Sequence, residues 1–401
     1  MTPRVADRLN ALSESQTLAM ARMSREMQAK GIDVISLSIG EPDYDTPDFI
    51  KQAAKDAIDQ NFTHYPPVPG FPDLREAVCT KLKRENGLDY KPSQIVVSTG
   101  AKQSLANVIL SLINPGDEVI VPIPYWVSYL ELIKLAGGIP VFIHGTVEAH
   151  FKINAEQLSA AITPKTRMVL INSPSNPSGA VYHEEEMAAL AGVLEKHPEV
   201  LVLSDEIYEL INFDGKHVSP ASFPALHERT IIVNGVSKGY AMTGWRIGYI
   251  AAPEWIAKAC EKMQGQFTSG TGTISQKAAT AALLASAETV AWMKEGFRER
   301  RDLVIAMLNK IPGFKCEVPE GAFYVFPDVS SLYGKHFEGK TIHNSTELCM
   351  YLLEKAKVAL VPGIAFGDDR CIRISYATSN DRLRTALLRV HEAVAALQNP
   401  A

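Results

Sequence analysis

Residues 230–252 read TIIVNGVSKGYAMTGWRIGYIAA, two apolar runs separated by a short stretch rich in small residues. Ile231, Ile232 and Val233 predict a buried strand that ends in a tight turn, and WRIGYIAA predicts a further strand after it. Between them stand Lys238 and, eight residues on, Arg246. Lysine is the side chain that condenses with an aldehyde, and its charge can be tuned away. Arginine keeps its charge and presents a planar fork suited to phosphate. An aldehyde that also carries a phosphate answers both, which points to pyridoxal phosphate. For Ser237 and Lys238 alone, a surface lysine beside a loop glycine is the simpler account. The fourteen residues from Gly235 to Gly248 together weigh against it.

Outward from this stretch, short apolar strands alternate with helical segments from about Gln94 to Ala251. That is the pattern of an α/β fold with a mostly parallel sheet covered by helices. The strands expected are QIVVS, DEVIV, IPVFI, RMVLI, VLVLS and TIIVN, with WRIGYIAA as a further member. Their unbroken apolar character implies burial on both faces. Ligands of such sheets collect at the carboxyl ends of the strands, where Ser98, Asn172, Asp205 and Lys238 fall. From Thr273 to Lys310 the chain is helical in composition and increasingly charged, as a connector between domains would be. Beyond it, FKCEV, AFYVF and CIRIS predict strands among helices near Leu348 and Leu383, a smaller α+β domain. The expected division is an N-terminal segment, 1–45, packing with the small domain, a large domain over 46–285 and a small domain over 286–401.

Composition narrows the chemistry. The chain has 401 residues, 46% hydrophobic and 21% charged, with a net charge of -5, so nothing in it attracts nucleic acid and an anionic substrate must be held locally. Cys79, Cys260, Cys316, Cys349 and Cys371 are scattered without CxxC spacing, which argues against a disulfide framework and a zinc site and fits a reducing cytoplasm. No apolar run reaches the ~18 residues of a membrane span. The opening MTPRVADRLNALSESQ lacks a signal core, so the expectation is a cytoplasmic protein.

Several residues carry candidate chemistry. Asp205 ends VLVLS and can keep a pyridine nitrogen protonated, although Asp at a strand-to-helix turn is equally a helix cap. Tyr208, three residues on, can donate to the ring's phenolic oxygen, or be a half-buried helix tyrosine. In NSPSNPSGAVY, two prolines stiffen the backbone and Asn176 can donate to the same oxygen; NPSG by itself reads as a plain turn. STGAKQSL puts small residues before a helix, where free N–H groups can cradle phosphate, or where a helix simply starts. It has no Walker spacing. Trp126 in PYWVSY lies past a strand end, where its ring can stack on a pyridine, with a core tryptophan as the competing account. Arg373 alternates with Ile372 and Ile374 and can grip a carboxylate through two parallel hydrogen bonds, although the local sequence alone favours an exposed strand arginine. Gly40 in SLSIGEPDYDTP lets backbone approach that carboxylate, or merely precedes a turn.

From SLSIGEPDYDTP to RISYATSNDRLR these motifs, in this order, resemble those of class I pyridoxal-phosphate aminotransferases, and within them the aspartate aminotransferases of the bacterial and plastid subgroup. The resemblance implies fold type I, with a mostly parallel seven-stranded sheet, and Lys238 as the lysine that holds pyridoxal 5'-phosphate. It implies cofactor contacts from Gly100, Ala101, Lys102, Trp126, Asn176, Asp205, Tyr208 and Arg246. Substrate contacts fall to Gly40, Trp126, Asn176 and Arg373, which anchors the α-carboxylate. Family members are homodimers, so Tyr65 is expected to reach the neighbouring subunit's phosphate, and QFTSGTGTISQ to lie between subunits. Thr17 and Lys102, helped by Ser15, are associated with a second carboxylate, which implies transfer between L-aspartate and 2-oxoglutarate and, in some relatives, amination of prephenate to arogenate. Two positions depart from the pattern: Ser178 stands where threonine is common, and Gly235 where some relatives carry a phosphate-binding hydroxyl, which Ser237 could replace. An aromatic aminotransferase or carbon-sulfur lyase of the same fold is the alternative. A cofactor-sensing regulator would need a DNA-binding domain that the chain has no spare length for, and a nicotinamide enzyme would need a GxGxxG opening a helix.

Overall fold

The structure is a computed structural model and describes residues 5–14 and 16–399. A short strand β1 (Ile35–Ser36) follows the helix Gln16–Ala29. Then come β2 (Ile95–Ser98), β3 (Glu118–Ile123), β4 (Ile139–His144), β5 (Thr166–Asn172), β6 (Leu201–Asp205), β7 (Thr230–Gly235) and β8 (Gly248–Ala251). All seven expected strands enter one sheet, in the order β2-β8-β7-β6-β5-β3-β4. WRIGYIAA begins its strand only at Gly248, because Thr243–Trp245 is a 3-10 turn.

The sheet is parallel except at β8, which runs antiparallel to both β2 and β7. The carboxyl ends of the other six strands therefore share one edge, and the amino end of β8 arrives at that same edge. This is why Gly248 and the Arg246 before it meet the ends of β2 and β7. Successive residues pack into different cores: Val96, Ile231 and Val233 face the helices Ala101–Leu112 and Glu254–Phe267, while Ile95, Val97 and Ile232 face the opposite side.

The segment from Thr273 to Lys310 is not one connector helix. Helix Thr273–Leu284 packs on Asp48–Asp59 and Pro72–Lys81, Ser286 caps a fresh start, and helix Ala291–Leu308 packs on Asn380–Ala395. Of the later strand candidates, AFYVF contributes β9 (Tyr324–Val325). FKCEV forms no strand; only Lys315 makes an isolated bridge, to Asp328. A hairpin of β10 (His336–Phe337) and β11 (Lys340–Thr341) comes next, followed by β12 (Val358–Ala359), β13 (Val361–Pro362) and β14 (Ile372–Ser375). Strand β14 lies between β13 and β9, and β1 pairs in parallel with β12, so the N-terminal segment is hydrogen-bonded to the C-terminal part of the chain. Among the described residues, no helix is long and apolar enough to cross a membrane.

Candidate active site

The shared strand edge opens into a cavity of about 260 Å³, room for small molecules and too small for a macromolecule. Its lining includes Thr17, Gly40, Ala101, Lys102, Trp126, Asn176, Asp205, Tyr208, Lys238, Arg246 and Arg373, drawn from sequence more than 350 residues apart.

Lys238 follows β7 on a turn held by Met242 N–H to the Ser237 carbonyl (3.1 Å) and pinned by Thr46, whose hydroxyl donates to the Ala241 carbonyl at 2.7 Å. Its Nζ is half-buried and donates to the Gly40 carbonyl at 2.6 Å. Burial lowers its pKa to about 8; Glu41 opposes the shift, while the positive charges of Arg373 and Arg246 add to it. A lysine that is partly neutral near pH 7 is a nucleophile and a proton carrier, which an ordinary surface lysine is not.

Glycines shape the opposite wall. Gly248 stacks so closely on the start of helix Ala101–Leu112 that a Cβ would sit 2.2 Å from Ala101 N. Gly100, at φ 83°, leaves room for Arg246, since a Cβ there would lie 2.3 Å from Nη2. Arg246 itself adopts left-handed φ 58° and donates to the Thr243 carbonyl at 2.9 Å. The first N–H groups of the helix have no acceptor within it, so they and the guanidinium offer an anion site. Gly235 cannot be a lost hydroxyl position here, because a Cβ would meet Ile247 O at 2.7 Å; Ser237 lines the cavity instead.

Asp205 ends β6 and is buried. It caps no helix, since the chain continues as a turn. Tyr129 donates to Oδ2 at 2.6 Å and Ile207 N–H to Oδ1 at 3.3 Å. Burial raises its pKa to about 6, the two donors holding it below what burial alone would give. No cation pairs with it among the described residues, so a protonated ring nitrogen would meet a matching acceptor. Tyr208 is fully buried in that turn, not half-buried on a helix, and its hydroxyl bonds that of Tyr324 at 2.8 Å.

Arg373 on β14 is 2% exposed, which overturns the exposed-arginine account of its strand. It donates to Asn176 Oδ1 at 3.0 Å and to the Ser38 carbonyl at 2.6 Å, lies over the Tyr324 and Phe366 rings, and leaves Nε without a partner. It makes no ion pair among the described residues, and burial lowers its pKa. A buried guanidinium without a carboxylate is costly unless a ligand supplies one. By occupying Oδ1, Arg373 also leaves the Asn176 amide donors for the cavity.

On the other side, Lys102 Nζ lies 5.0 Å from the Trp126 ring centroid with no acid beside it, and burial and Arg246 lower its pKa. Thr17 Oγ1 is buried without a partner among the described residues. Ser15 lies outside the described residues. Tyr65 is fully exposed and away from this chain's cavity. Sequence reasoning missed Tyr129 and Tyr324. The first sits three residues past Trp126, a spacing that could have flagged it; the second is indistinguishable from core in AFYVF.

Residues 32–390 match the model of the family described as aminotransferase class I and II. The chain belongs to that family. Its relatives include a probable aspartate/prephenate aminotransferase of Rhizobium leguminosarum bv. phaseoli, 50% identical over 96% of this chain and 97% of the relative. Another is the aspartate/prephenate aminotransferase of Cereibacter sphaeroides, 49% identical over 98% and 99%. Among solved structures, the aspartate aminotransferase of Rhizobium meliloti superposes with a TM-score of 0.95 at 47% identity, covering 99% of this chain and 100% of that one. In this aminotransferase, the half-buried amine of Lys238, the glycine-walled anion site, the buried acid Asp205 and the guanidinium of Arg373, whose Nε has no partner among the described residues, thus occupy one cavity.

Proposed function

We propose that this aminotransferase works with pyridoxal phosphate and moves the amino group of L-aspartate to 2-oxoglutarate, giving oxaloacetate and L-glutamate, with prephenate as a further acceptor that yields arogenate. Arg373 carries the reading: a buried guanidinium with no carboxylate of its own, in the cavity of a half-buried amine. Lys102 and the partnerless Thr17 hydroxyl support a second acid group on the substrate. Relatives named for aspartate and prephenate agree with it.

The residues present fit the cofactor. Asp205 suits a protonated ring nitrogen, Trp126 offers a flat face, and the glycine-walled helix start with Arg246 and Ser237 suits a phosphate. When bound, the cofactor supplies an electron-withdrawing ring that makes the substrate's α-proton removable. Lys238, free as an amine near pH 8, takes that proton and returns it. Arg373 fixes the α-carboxylate, and Lys102 with Thr17 holds the distal one. Asp205, ionised above about pH 6, sustains positive charge opposite it. Tyr208 and the Asn176 amide donate to the phenolic oxygen. The proposal includes a homodimer, supported by the full exposure of Tyr65, and a cytoplasmic setting, supported by five unpaired cysteines.

The test is the visible spectrum of the pyridoxal-phosphate-loaded protein. Loss of the absorption band on adding L-aspartate and its return with 2-oxoglutarate or prephenate are the expected results. Conversion by neutral aromatic donors alone would move the assignment to an aromatic aminotransferase, and no conversion by any donor would remove transamination.

A further inference from the structure

Behind the turn that carries Asp205 and Tyr208 lies a set of charged side chains that no step above uses. Lys81 is 1% exposed and Glu206 0%, and the side chains of Glu209 and His217 are 7% exposed each. The turn sorts its residues. Asp205 and Tyr208 line the cavity, whereas Glu206 and Glu209, each the next residue in sequence, do not.

Glu206 Oε1 accepts from the hydroxyls of Ser204 (2.8 Å) and Ser219 (2.6 Å), and its Oε2 lies 3.0 Å from His217 Nε2, an ion-pair contact that is not aligned as a hydrogen bond. Glu209 pairs with Lys81, and accepts from Asn234 Nδ2 at 2.7 Å and Asn86 Nδ2 at 3.1 Å. Lys81 also donates to Asn86 Oδ1 at 2.9 Å. Asn234 passes the connection on, since its Oδ1 accepts from Gly235 N–H at 2.7 Å, three residues before Lys238. The ligand-type atoms of Glu206, Glu209 and His217 lie within 4.8 Å of one another, close enough for a divalent ion. Lys81 already supplies a cation to Glu209 and also lies 3.6 Å from Glu85 Oε2, whose other oxygen pairs with Arg84, so the group reads as an internally compensated ion cluster.

Burying ions costs several kcal/mol each, and apolar residues of the same size are often as stable or more so. What an ion cluster adds is direction, because every bond within it fixes an angle as well as a distance. We infer that Glu206, Glu209, His217 and Lys81 are positioning residues that set the orientation of Asp205 and Tyr208 towards the cofactor. The inference rests on pyridoxal phosphate being the ligand of that pair. The cluster's lever is short: Glu206 adjoins Asp205, Glu209 adjoins Tyr208, and Asn234 ties the same anchor to the end of β7. His217 fits as a cation in it, for although burial pushes its pKa down, Glu206 and Glu209 hold it above the usual value against the opposing charge of Lys81.

The experiment compares His217→Gln and Ser219→Ala with Val390→Ala, a buried change in the helix Asn380–Ala395 remote from the turn. Each loaded variant is measured for thermal stability, for the rate of cofactor release and for the pH midpoint of the visible band. His217→Gln, which removes the cation facing Glu206 Oε2, should release cofactor roughly tenfold faster and move the midpoint by about half a pH unit. Ser219→Ala should change both in the same direction and less. Val390→Ala should lower stability alone. Release and midpoint that follow thermal stability equally in all three variants would overturn the inference. Should His217→Gln not fold, unchanged release and midpoint in Ser219→Ala overturn it as well. Wild-type protein that forms no visible band removes the pyridoxal phosphate reading, and this inference with it, whereas a normal wild-type band with indifferent variants removes this inference alone.

Discussion

The Tyr129 hydroxyl donates to Asp205 Oδ2 at 2.6 Å, joining the helix Val127–Leu135 to the end of β6. Asp205 is caught between burial, which raises its pKa to about 6, and this bond, which lowers it. Removing the bond lets burial prevail.

Tyr129→Phe is therefore expected to raise the pKa of Asp205 further. Wild-type affinity for pyridoxal phosphate should weaken as pH falls through about 6, where the carboxylate takes up its proton. In the variant that weakening should begin about one unit higher, because a hydrogen bond to a charged group is worth roughly 1.5–3 kcal/mol. Equilibrium titration of apoprotein with cofactor across pH 5 to about 8 measures it. An unmoved profile would show that the bond does not govern the charge on Asp205.

Lys238 offers a second pH signature. Its pKa of about 8 means that the rate of forming a borohydride-reducible linkage to pyridoxal phosphate should rise through that pH, not through the ~10.4 of a free lysine. Glu41 is the larger of the two acids, with Asp205, that oppose the shift, so Glu41→Gln should lower the midpoint. Lys238→Ala should form no reducible linkage at all. Linkage at another lysine, or a midpoint near 10.4, would refute the role.

Much of this site is legible in the sequence because its residues sit where strands stop. Six of the seven sheet strands are largely apolar runs buried on both faces, whereas β4 at the sheet edge leaves Ile139 and Phe142 exposed; Asp205 ends β6, and Lys238 lies three residues past β7. FKCEV, which carries Lys315 and Glu317 among its five residues, pairs at one residue only, since strand formation there depends on a neighbour that local sequence does not encode. Arg373 looks exposed in its own strand and becomes buried because Tyr324, Phe366 and Ser38 close over it from other segments. The Tyr208 bond to Tyr324 spans 116 residues, so no periodicity could reveal it.

The Thr17 hydroxyl and the Lys102 ammonium separate substrate choice from folding. Thr17 Oγ1 is buried without a partner among the described residues, so Thr17→Val should cost little stability by hydrogen bonding. Both Thr17→Val and Lys102→Val should lower kcat/KM for aspartate by roughly 10-fold or more, the size of one bond to a charged group, and leave a neutral donor such as alanine much less affected. Steady-state kinetics with both donors decides it; equal losses for the two would contradict a contact with the distal carboxylate.

Arg373 is placed to be poor for stability and necessary for substrate. Its guanidinium is buried, carries an unpartnered Nε and has no counter-ion among the described residues, so its desolvation is not recovered by an ion pair there. Arg373→Leu removes that charge, at the loss of the donors to Asn176 and Ser38. Apoprotein Tm should accordingly stay within about 3 °C of wild type. Turnover should not, because two parallel charge-assisted bonds to the α-carboxylate go at once, and kcat/KM should fall by roughly 1000-fold. Arg373→Lys keeps the charge and loses the planar fork, so its activity should lie between the two. Calorimetry beside kinetics separates the accounts: activity that falls only in proportion to Tm would make Arg373 a packing residue, whereas an intact Tm with lost turnover makes its missing partner the substrate's carboxylate.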